Sequence, residues 1–491
     1  MKRLFLILLF GGSLLSSCSK DDPGNQTQNL RWSRVDLTGA KYLGLSGSPG
    51  SKSTGVPSDV FKVDENGNMT AVVFYFTYDN NGNSQQARSD VKVVPQTISS
   101  YDGGQYMLFH DCDFRDKQGQ SIHLPHYVGS PNFLIRRKDG AVFHIPYSEQ
   151  DKFPATNSKY TAKVDHNGDL FVCSSSGINK VEAKDEQTYL RQITPNGMGA
   201  GQFMLTDQTD VLLGGYLSSP PVISDNTFRY PPSGTVFYPN GGFEKINFYA
   251  FPGYYEDRDE HSSYTLFQDG NQVKLFECST VIRDPSGDIR RDPSGEYVST
   301  IALGIRDINF STTPPVTLNN EYTHSKIWAE NRYVSSWWYS AAISCKNHFI
   351  LTHGGRYSPE DVELLVCDRS DKSMRIVTLT QFPEPEVSYG EHPLEERMIN
   401  NTLFYLNTTT RTIQKYDFET LTYSEVQYDD SSIGQYVQLG ISLGYNAYII
   451  NGVRNSDGRS VVIEIDHSTG AVKTTVAPDE RKITELIQLN Y

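Results

Sequence analysis

The sequence predicts an all-β protein built from small repeated sheets, and three observations carry the expectation. Apolar and β-branched runs are punctuated by Asp, Asn and Gly along nearly the whole chain, long stretches of helical period are absent, and strand-turn units recur at a fixed spacing in the C-terminal third. The chain has 491 residues and a formal net charge of −14, with no run of lysines or arginines. That balance argues against a phosphate backbone or an anionic membrane surface as partner, so no nucleic acid is expected.

Taken from the N-terminus, residues 1–17 read as a secretory signal: Lys2 and Arg3 are followed by the apolar run Leu4 to Phe10 and then by small residues. Seven apolar residues are too few to cross a hydrocarbon core of roughly 30 Å. The segment Leu15-Ser16-Ser17-Cys18 resembles the bacterial lipobox, in which small residues admit the signal peptidase and the cysteine thiol is acylated. The resemblance implies that Cys18 becomes the lipidated first residue and that the outer membrane is a partner through that lipid. Ser19-Lys20-Asp21-Asp22 is similar to the short acidic export tag of surface lipoproteins in the Bacteroidota, which implies an outer-membrane lipoprotein displayed outward. Residues 18–30 are polar and bear glycine and proline, as a flexible tether does, and 31–491 are expected to form one domain.

Within that domain the hairpin signature recurs. Lys62 to Asn68, Tyr78 to Asn83, Arg137 to Ala141 and Lys163 to Asp169 each place Asp at a turn start and Gly where positive φ is needed. These are read as turns rather than calcium loops, because their glycine falls too early for an EF-hand. Further on, Leu364 to Asp368, Gln414 to Asp417 and Ile463 to Asp466 line up so that Asp368, Asp417 and Asp466 stand at equal intervals of 49 residues. Each unit follows another apolar strand, at Phe349, Leu403 and Ala447, and precedes a third in two cases, at Arg375 and Ala471. A small twisted sheet cannot bury both faces alone, whereas sheets packed radially bury them against one another. The chain therefore resembles β-propellers with an irregular N-terminal half. A single propeller of about seven or eight blades is expected, with two β-sandwich domains as the alternative fold.

Five cysteines follow Cys18, at 112, 173, 278, 345 and 367. An odd number without tight spacing argues for small buried apolar residues rather than a disulfide framework.

Four constellations are candidates for function. Trp328, Tyr333, Trp337, Trp338 and Tyr339 gather three of the four tryptophans and could stack on sugar rings, although neighbours on a strand point to opposite faces. Tyr254 and Tyr255 stand beside Asp257, Asp259 and His261, aromatics next to charge, in a run expected at the mouth of the central channel. His110, Asp111, Cys112, Asp113, His123 and His126 carry metal-ligand chemistry in a spacing that fits no closed zinc pattern. Glu395, Glu396 and His392 offer acid and base groups, but adjacency alone does not separate pKa values. No Gly-x-Ser-x-Gly elbow, phosphate loop or His-Glu-x-x-His is present, so no cofactor and no metal are expected. The expectation is a non-enzymatic binding module for a glycan or an envelope protein. A propeller-type glycan lyase or hydrolase is the alternative, and a purely structural surface protein a third reading.

Overall fold

The computed structural model describes residues 30–47, 59–80, 83–88, 91–116, 118–124, 127–153, 162–165, 167–174, 177–184, 187–193, 338–354, 361–371, 373–383, 397–429, 431, 433–478 and 482–489, and between 203 and 328 mainly the backbone of strands. The described chain is all-β. β1 (Leu30–Asp36) leads into β2 (Ala40–Gly47), β3 (Asp59–Asp64) and β4 (Met69–Ala71), which belong to sheet I. β5 (Val73–Asn80), β6 (Asn83–Arg88) and β7 (Lys92–Val94) follow. Sheet II is β8 (Thr97–Tyr101), β9 (Tyr106–His110), β11 (Asn132–Arg136) and β12 (Ala141–Ile145), with β10 (Asp113–Arg115) pairing on β7.

Sheet III is β13 (Ala162–Val164), β14 (Leu170–Ser174), β15 (Gly177–Lys184) and β16 (Gln187–Gln192). Sheet IV is β17 (Phe203–Leu205), β18 (Leu212–Gly214), β19 (Thr235–Phe237) and β20 (Phe243–Lys245). Sheet V is β21 (His261–Asp269), β22 (Gln272–Val281), β23 (Ser299–Asn309) with the short β24 (Val316–Thr317), and β25 (Tyr322–Trp328). Sheet VI is β26 (Trp338–Ser344), β27 (His348–Gly354), β28 (Asp361–Asp368) and β29 (Met374–Pro383). Sheet VII is β30 (Met398–Ile399), β31 (Thr402–Asn407), β32 (Thr412–Asp417) and β33 (Thr422–Gln427). Sheet VIII is β34 (Tyr436–Leu443), β35 (Ala447–Arg454), β36 (Ser460–Asp466) and β37 (Val472–Val476).

Sheets I to IV and VI to VIII are each four-stranded and antiparallel, sheet V has five strands with β24 and β25 both paired to β23, and sheets II and III are joined at their edges by a parallel pairing of β12 with β16 at His144 and Gln187. The last strand, β38 (Lys482–Gln488), returns to β2, so that sheet I reads β38-β2-β3-β4 and joins the two ends of the described chain. The expected strands at Leu364, Gln414 and Ile463 are the third strands of sheets VI, VII and VIII. The expected turns at Asp64, Asp139 and Asp165 join β3 to β4, β11 to β12 and β13 to β14.

Burial within a sheet is graded. β36 is buried along nearly its whole length, β32 alternates little, and the outermost β33 is mostly exposed. This explains why Val461-Val462-Ile463 is a continuous apolar run while Thr422-Tyr423-Ser424-Glu425 is polar: the inner strands have a neighbouring sheet on both faces. One core joins Leu364 and Val366 of sheet VI to Leu403 and Phe418 of sheet VII, and the next joins Phe404 and Ile413 to Ile450 and Ile463 of sheet VIII. Another joins Ile449 and Val462 to Tyr42 and Phe61 of sheet I, and Leu108 and Leu134 of sheet II pack on Leu170 and Val172 of sheet III. Each such Leu, Ile, Val or Phe contributes about 1.5–3 kcal/mol relative to exposure.

The N-terminal strand adds a small sheet of its own. β1 pairs with β5, and at one position with β12, along the outer edge of sheet II. Trp32 is buried there among Phe74, Phe109 and Phe133, its ring edge-on to Phe133 at 4.4 Å between centroids, and its backbone N–H donates to the Tyr127 hydroxyl at 2.9 Å. Covering β12 in this way protects an edge that would otherwise present unpaired backbone.

Candidate functional site

The meander places the turns between first and second strands and between third and fourth strands at one end of each sheet, here the turn end. Those between second and third strands, and the connections from sheet to sheet, lie at the far end. Hydrogen bonds and one close approach show that, among the described residues, the turn ends of sheets III, II, I, VIII, VII, VI and V adjoin in that order. In sheets III and II, Val164 N–H donates to Asp102 Oδ2 at 2.7 Å and Tyr106 OH to the Gly168 carbonyl at 2.8 Å. Gly104 of sheet II lies against the Gln488 and Leu489 backbone of sheet I. Lys473 of sheet VIII donates to the Glu65 carbonyl at 2.8 Å, and Lys415 of sheet VII to the His467 carbonyl at 3.0 Å. Asn401 Nδ2 donates to the Ser344 carbonyl of sheet VI at 3.0 Å, and Ser344 Oγ to Asp269 of sheet V at 2.5 Å.

A local repeat underlies these contacts. Asp368, Asp417 and Asp466 end their strands, and each carboxylate accepts backbone N–H groups two or three residues on, closing the turn. The residue after each aspartate, Arg369, Phe418 or His467, donates its N–H to the carbonyl of an asparagine in the first turn of the same sheet, Asn347, Asn401 or Asn446, at 2.9 Å in each case. Arg137 does the same to Gln105 in sheet II. The side chain of that residue then wedges against the preceding sheet: Phe418 into the core with Ile350 and Val366, His467 against Phe404 at 4.4 Å, and Arg369 onto Asp269.

Two buried charge networks sit at the turn end. Lys274 lies 3.0 Å from Asp307 and 3.4 Å from Asp269, and Arg369 donates to both Asp269 oxygens at 3.1 and 2.7 Å while stacking on Phe349 at 3.8 Å. Burial alone would raise the Asp269 carboxyl, but the hydrogen bonds from Arg369 and Ser344 and the nearby cations outweigh it and hold the carboxyl at about 2. A carboxylate so held stays ionised and tied, so it positions the sheets rather than moving protons. Between sheets VIII and I, Glu464 accepts from Lys41 and, at 2.5 Å, from the Tyr42 hydroxyl, whose ionisation burial then opposes. Sequence reasoning missed both networks, because their partners are 100 and 422 positions apart and leave no local signal.

The far end carries the backbone of three of the expected ligand residues, His261, Trp328 and Trp338. In sheet V the register runs His261 to Thr280, Val281 to Thr300 and Ser299 to Trp328, which puts His261 and Trp328 at the same end. β21 packs beside β26, and Asp269 and Ser344, at the ends of these strands, are hydrogen-bonded, so their starts, His261 and Trp338, share the far end. Of these three residues the backbone is described. Trp337, Tyr254, Tyr255, Asp257, Asp259 and Cys18 lie outside the described residues, as do Glu395, Glu396, His392 and His126.

His110 ends β9 at the far end of sheet II, its Nε2 3.2 Å from Ser99 Oγ. Burial lowers the imidazole pKa, against the opposing charge of Asp111. Its expected metal-ligand neighbours do not converge. Cys112 is buried with its thiol pushed up, Asp113 is engaged by Arg115 at 3.0 Å and by its own turn, and His123 is exposed. Among the described residues no group of three or more His, Cys, Asp or Glu is set to hold a metal ion. Cys112, Cys345 and Cys367 are free and buried, as the spacing implied, and burial pushes the Cys345 and Cys367 thiols up to about 12.

The class that fold and site define is thus an all-β chain of consecutive four- or five-stranded sheets tied together by its own ends. No protein-family model matches the chain, and no curated protein matches it. Among solved structures, it is similar to AztD of Citrobacter koseri over 72% of this chain and 94% of that one, at 13% identity and a TM-score of 0.30. It is similar to a puromycin-hydrolyzing peptidase of Mycobacterium tuberculosis over 77% of this chain and 53% of that one, at 12% identity and a TM-score of 0.36. A putative dipeptidyl aminopeptidase IV from Bacteroides ovatus is similar over 94% of this chain and 62% of that one, at 9% identity and a TM-score of 0.36.

Proposed function

We propose that this chain is an outer-membrane lipoprotein anchored at Cys18, folded as an eight-bladed β-propeller, and that it acts as a binding module taking an extracellular glycan at its far end. The propeller reading is supported by eight antiparallel sheets of four or five strands among the described residues, by the shared cores of sheets VI and VII, VII and VIII, VIII and I, and II and III, and by completion of sheet I with β38. The anchor reading rests on Lys2, Arg3, the apolar run and Leu15 to Cys18.

The observation that carries the binding reading is that His261 and Trp338 begin the adjoining strands β21 and β26 at the far end, with Trp328 at the same end on the outermost strand of sheet V. Aromatic residues in such a position suit sugar rings, whose C–H faces stack on aromatic faces while their hydroxyls stay wet. The test is a glycan-array and polysaccharide screen of the chain beginning at Leu30, with mass spectrometry of the same wells. Retention of intact glycan, weakened at least tenfold by Trp338→Ala at an unchanged melting temperature, is the expected result. Cleavage would replace binding by glycan lyase or hydrolase activity, and a matched fall in melting temperature would return Trp338 to packing. Silence in every well would point to an envelope protein as partner.

A further inference from the structure

Among the described residues, the far ends of sheets VII, VIII and I carry more positive than negative charge. Arg397, which immediately precedes β30 in sheet VII, is half-buried with its guanidinium over the Tyr405 ring at 5.7 Å, and it has no ion-pair partner. Lys482 begins β38 at the same end of sheet I, half-buried and also without an ion-pair partner. Sheet VIII stands between them and shares a core with each. Its loop from β35 to β36 sets two guanidinium groups against one carboxylate: Arg454 donates to Asp457 at 2.9 Å, and Arg459 lies 3.6 Å from it. The loop from β31 to β32 adds Arg411, whose charge acts on Asp429. Arg397, Arg411, Arg454, Arg459 and Lys482 are thus set against Asp429 and Asp457 alone among the described side chains at this end of three successive sheets, on a chain of net charge −14.

Resting on the glycan reading above and narrowing it, we infer that the ligand is an acidic polysaccharide, its carboxylate or sulfate groups taken at the far end by Arg397 and Lys482. A half-buried guanidinium gives up hydration, and a tyrosine face returns only part of it. A carboxylate or sulfate returns the rest through paired, charge-assisted hydrogen bonds. Packed sheets lie about 10 Å apart, so the two steps from sheet VII to sheet I separate these cations by up to about 20 Å. A polymer bearing charge at intervals covers that span, and a lone charged sugar does not. Sheet VI, whose first strand begins at Trp338, shares a core with sheet VII, which sets the cations beside the expected aromatic sector. The negative net charge sharpens the choice, because it opposes adsorption of polyanions elsewhere on the surface. Glu395, Glu396, Asp479 and Glu480 precede the two cations in sequence and lie outside the described residues; they are the rival occupants within the chain itself.

The test is a polysaccharide array holding neutral, uronate-bearing and sulfated members, probed with the full-length protein in detergent. The expected result is retention of acidic members only. Loss of binding on methyl esterification of the retained polymer assigns the carboxylate as the recognised group, and loss on desulfation assigns the sulfate. On the tightest member, Arg397→Gln and Lys482→Gln should each weaken binding at least threefold, and together at least tenfold, at an unchanged melting temperature. Arg375→Gln, which removes an exposed cation at the turn end of sheet VI, should leave binding as it was. Retention of neutral members alone, as expected if the chain's own acids hold the cations, overturns the inference and leaves the glycan reading standing. Binding that survives Arg397→Gln and Lys482→Gln together, or that falls equally with Arg375→Gln, overturns it as well. Retention of no member is the failure of the glycan reading itself.

Discussion

At the residue scale the informative groups are buried charges and imidazoles. Asp269 is held at about 2, below the ordinary carboxylate value of 3.8, so its contribution to stability is full above pH 4 and is lost as pH falls from about 4 through 2. Asp269→Asn leaves the buried Lys274 and the half-buried Arg369 with one carboxylate fewer. It should cost about 3 kcal/mol at neutral pH and flatten the acid limb of the stability curve in chemical-denaturation titrations below pH 4. His467 behaves oppositely in mechanism. Burial against Phe404 and Tyr448 lowers it to about 4, with Asp466 opposing the shift and Lys415 adding to it, and its Nε2 has no hydrogen-bond partner. Below pH 6.5 the unfolded chain takes up a proton that the folded one refuses, so stability falls between about pH 6.5 and 4. His467→Phe keeps the ring contact and should reduce that loss, read as a shallower fall of melting temperature across the same window; a slope unchanged from the native protein would contradict the assignment.

At the scale of the element, the turn between third and fourth strands is the unit that does most. Gly140 and Gly470 occupy corresponding places with φ of +68° and +71°, and a Cβ on either would collide with the carbonyl oxygen of Val35 or Gln427 respectively. Gly470→Ala should therefore cost about 2 kcal/mol or more, well beyond the unfolded-state gain of such a change, whereas Gly458→Ala, with open space around its Cβ, should cost less. Paired melting curves of the two variants read the difference. These turns were legible in the sequence because aspartate, glycine and the 49-residue spacing are local signals. The wedge residues were not, since Arg369, Phe418 and His467 share a position and no chemistry. The site was legible only as a set of aromatics. Register, which brings His261 level with Lys326 and so within two residues of Trp328, depends on pairing across residues far apart in the chain.

For the whole molecule the decisive feature is closure. β38 supplies the first strand of a sheet whose other strands come from residues 40–71, and Leu489 N–H donates to the Lys41 carbonyl at 2.8 Å. Removing residues 482–491 strips Ile483, Leu486 and Leu489 from their contacts and should cost about 5 kcal/mol. Because sheet I lies between sheets VIII and II, the loss should spread, broadening the thermal transition and exposing the Tyr42 region to limited proteolysis. A sharp transition at the native temperature would show that the fold holds without its last strand. The placement of β1 has a mechanical consequence as well. A pull on the chain ahead of Leu30, directed away from the far end, acts along the axis of β1. It loads the ladder to β5 in shear, all its hydrogen bonds at once, instead of unzipping them singly. The first described strand is thus set in the geometry that best resists being drawn out by the chain ahead of it.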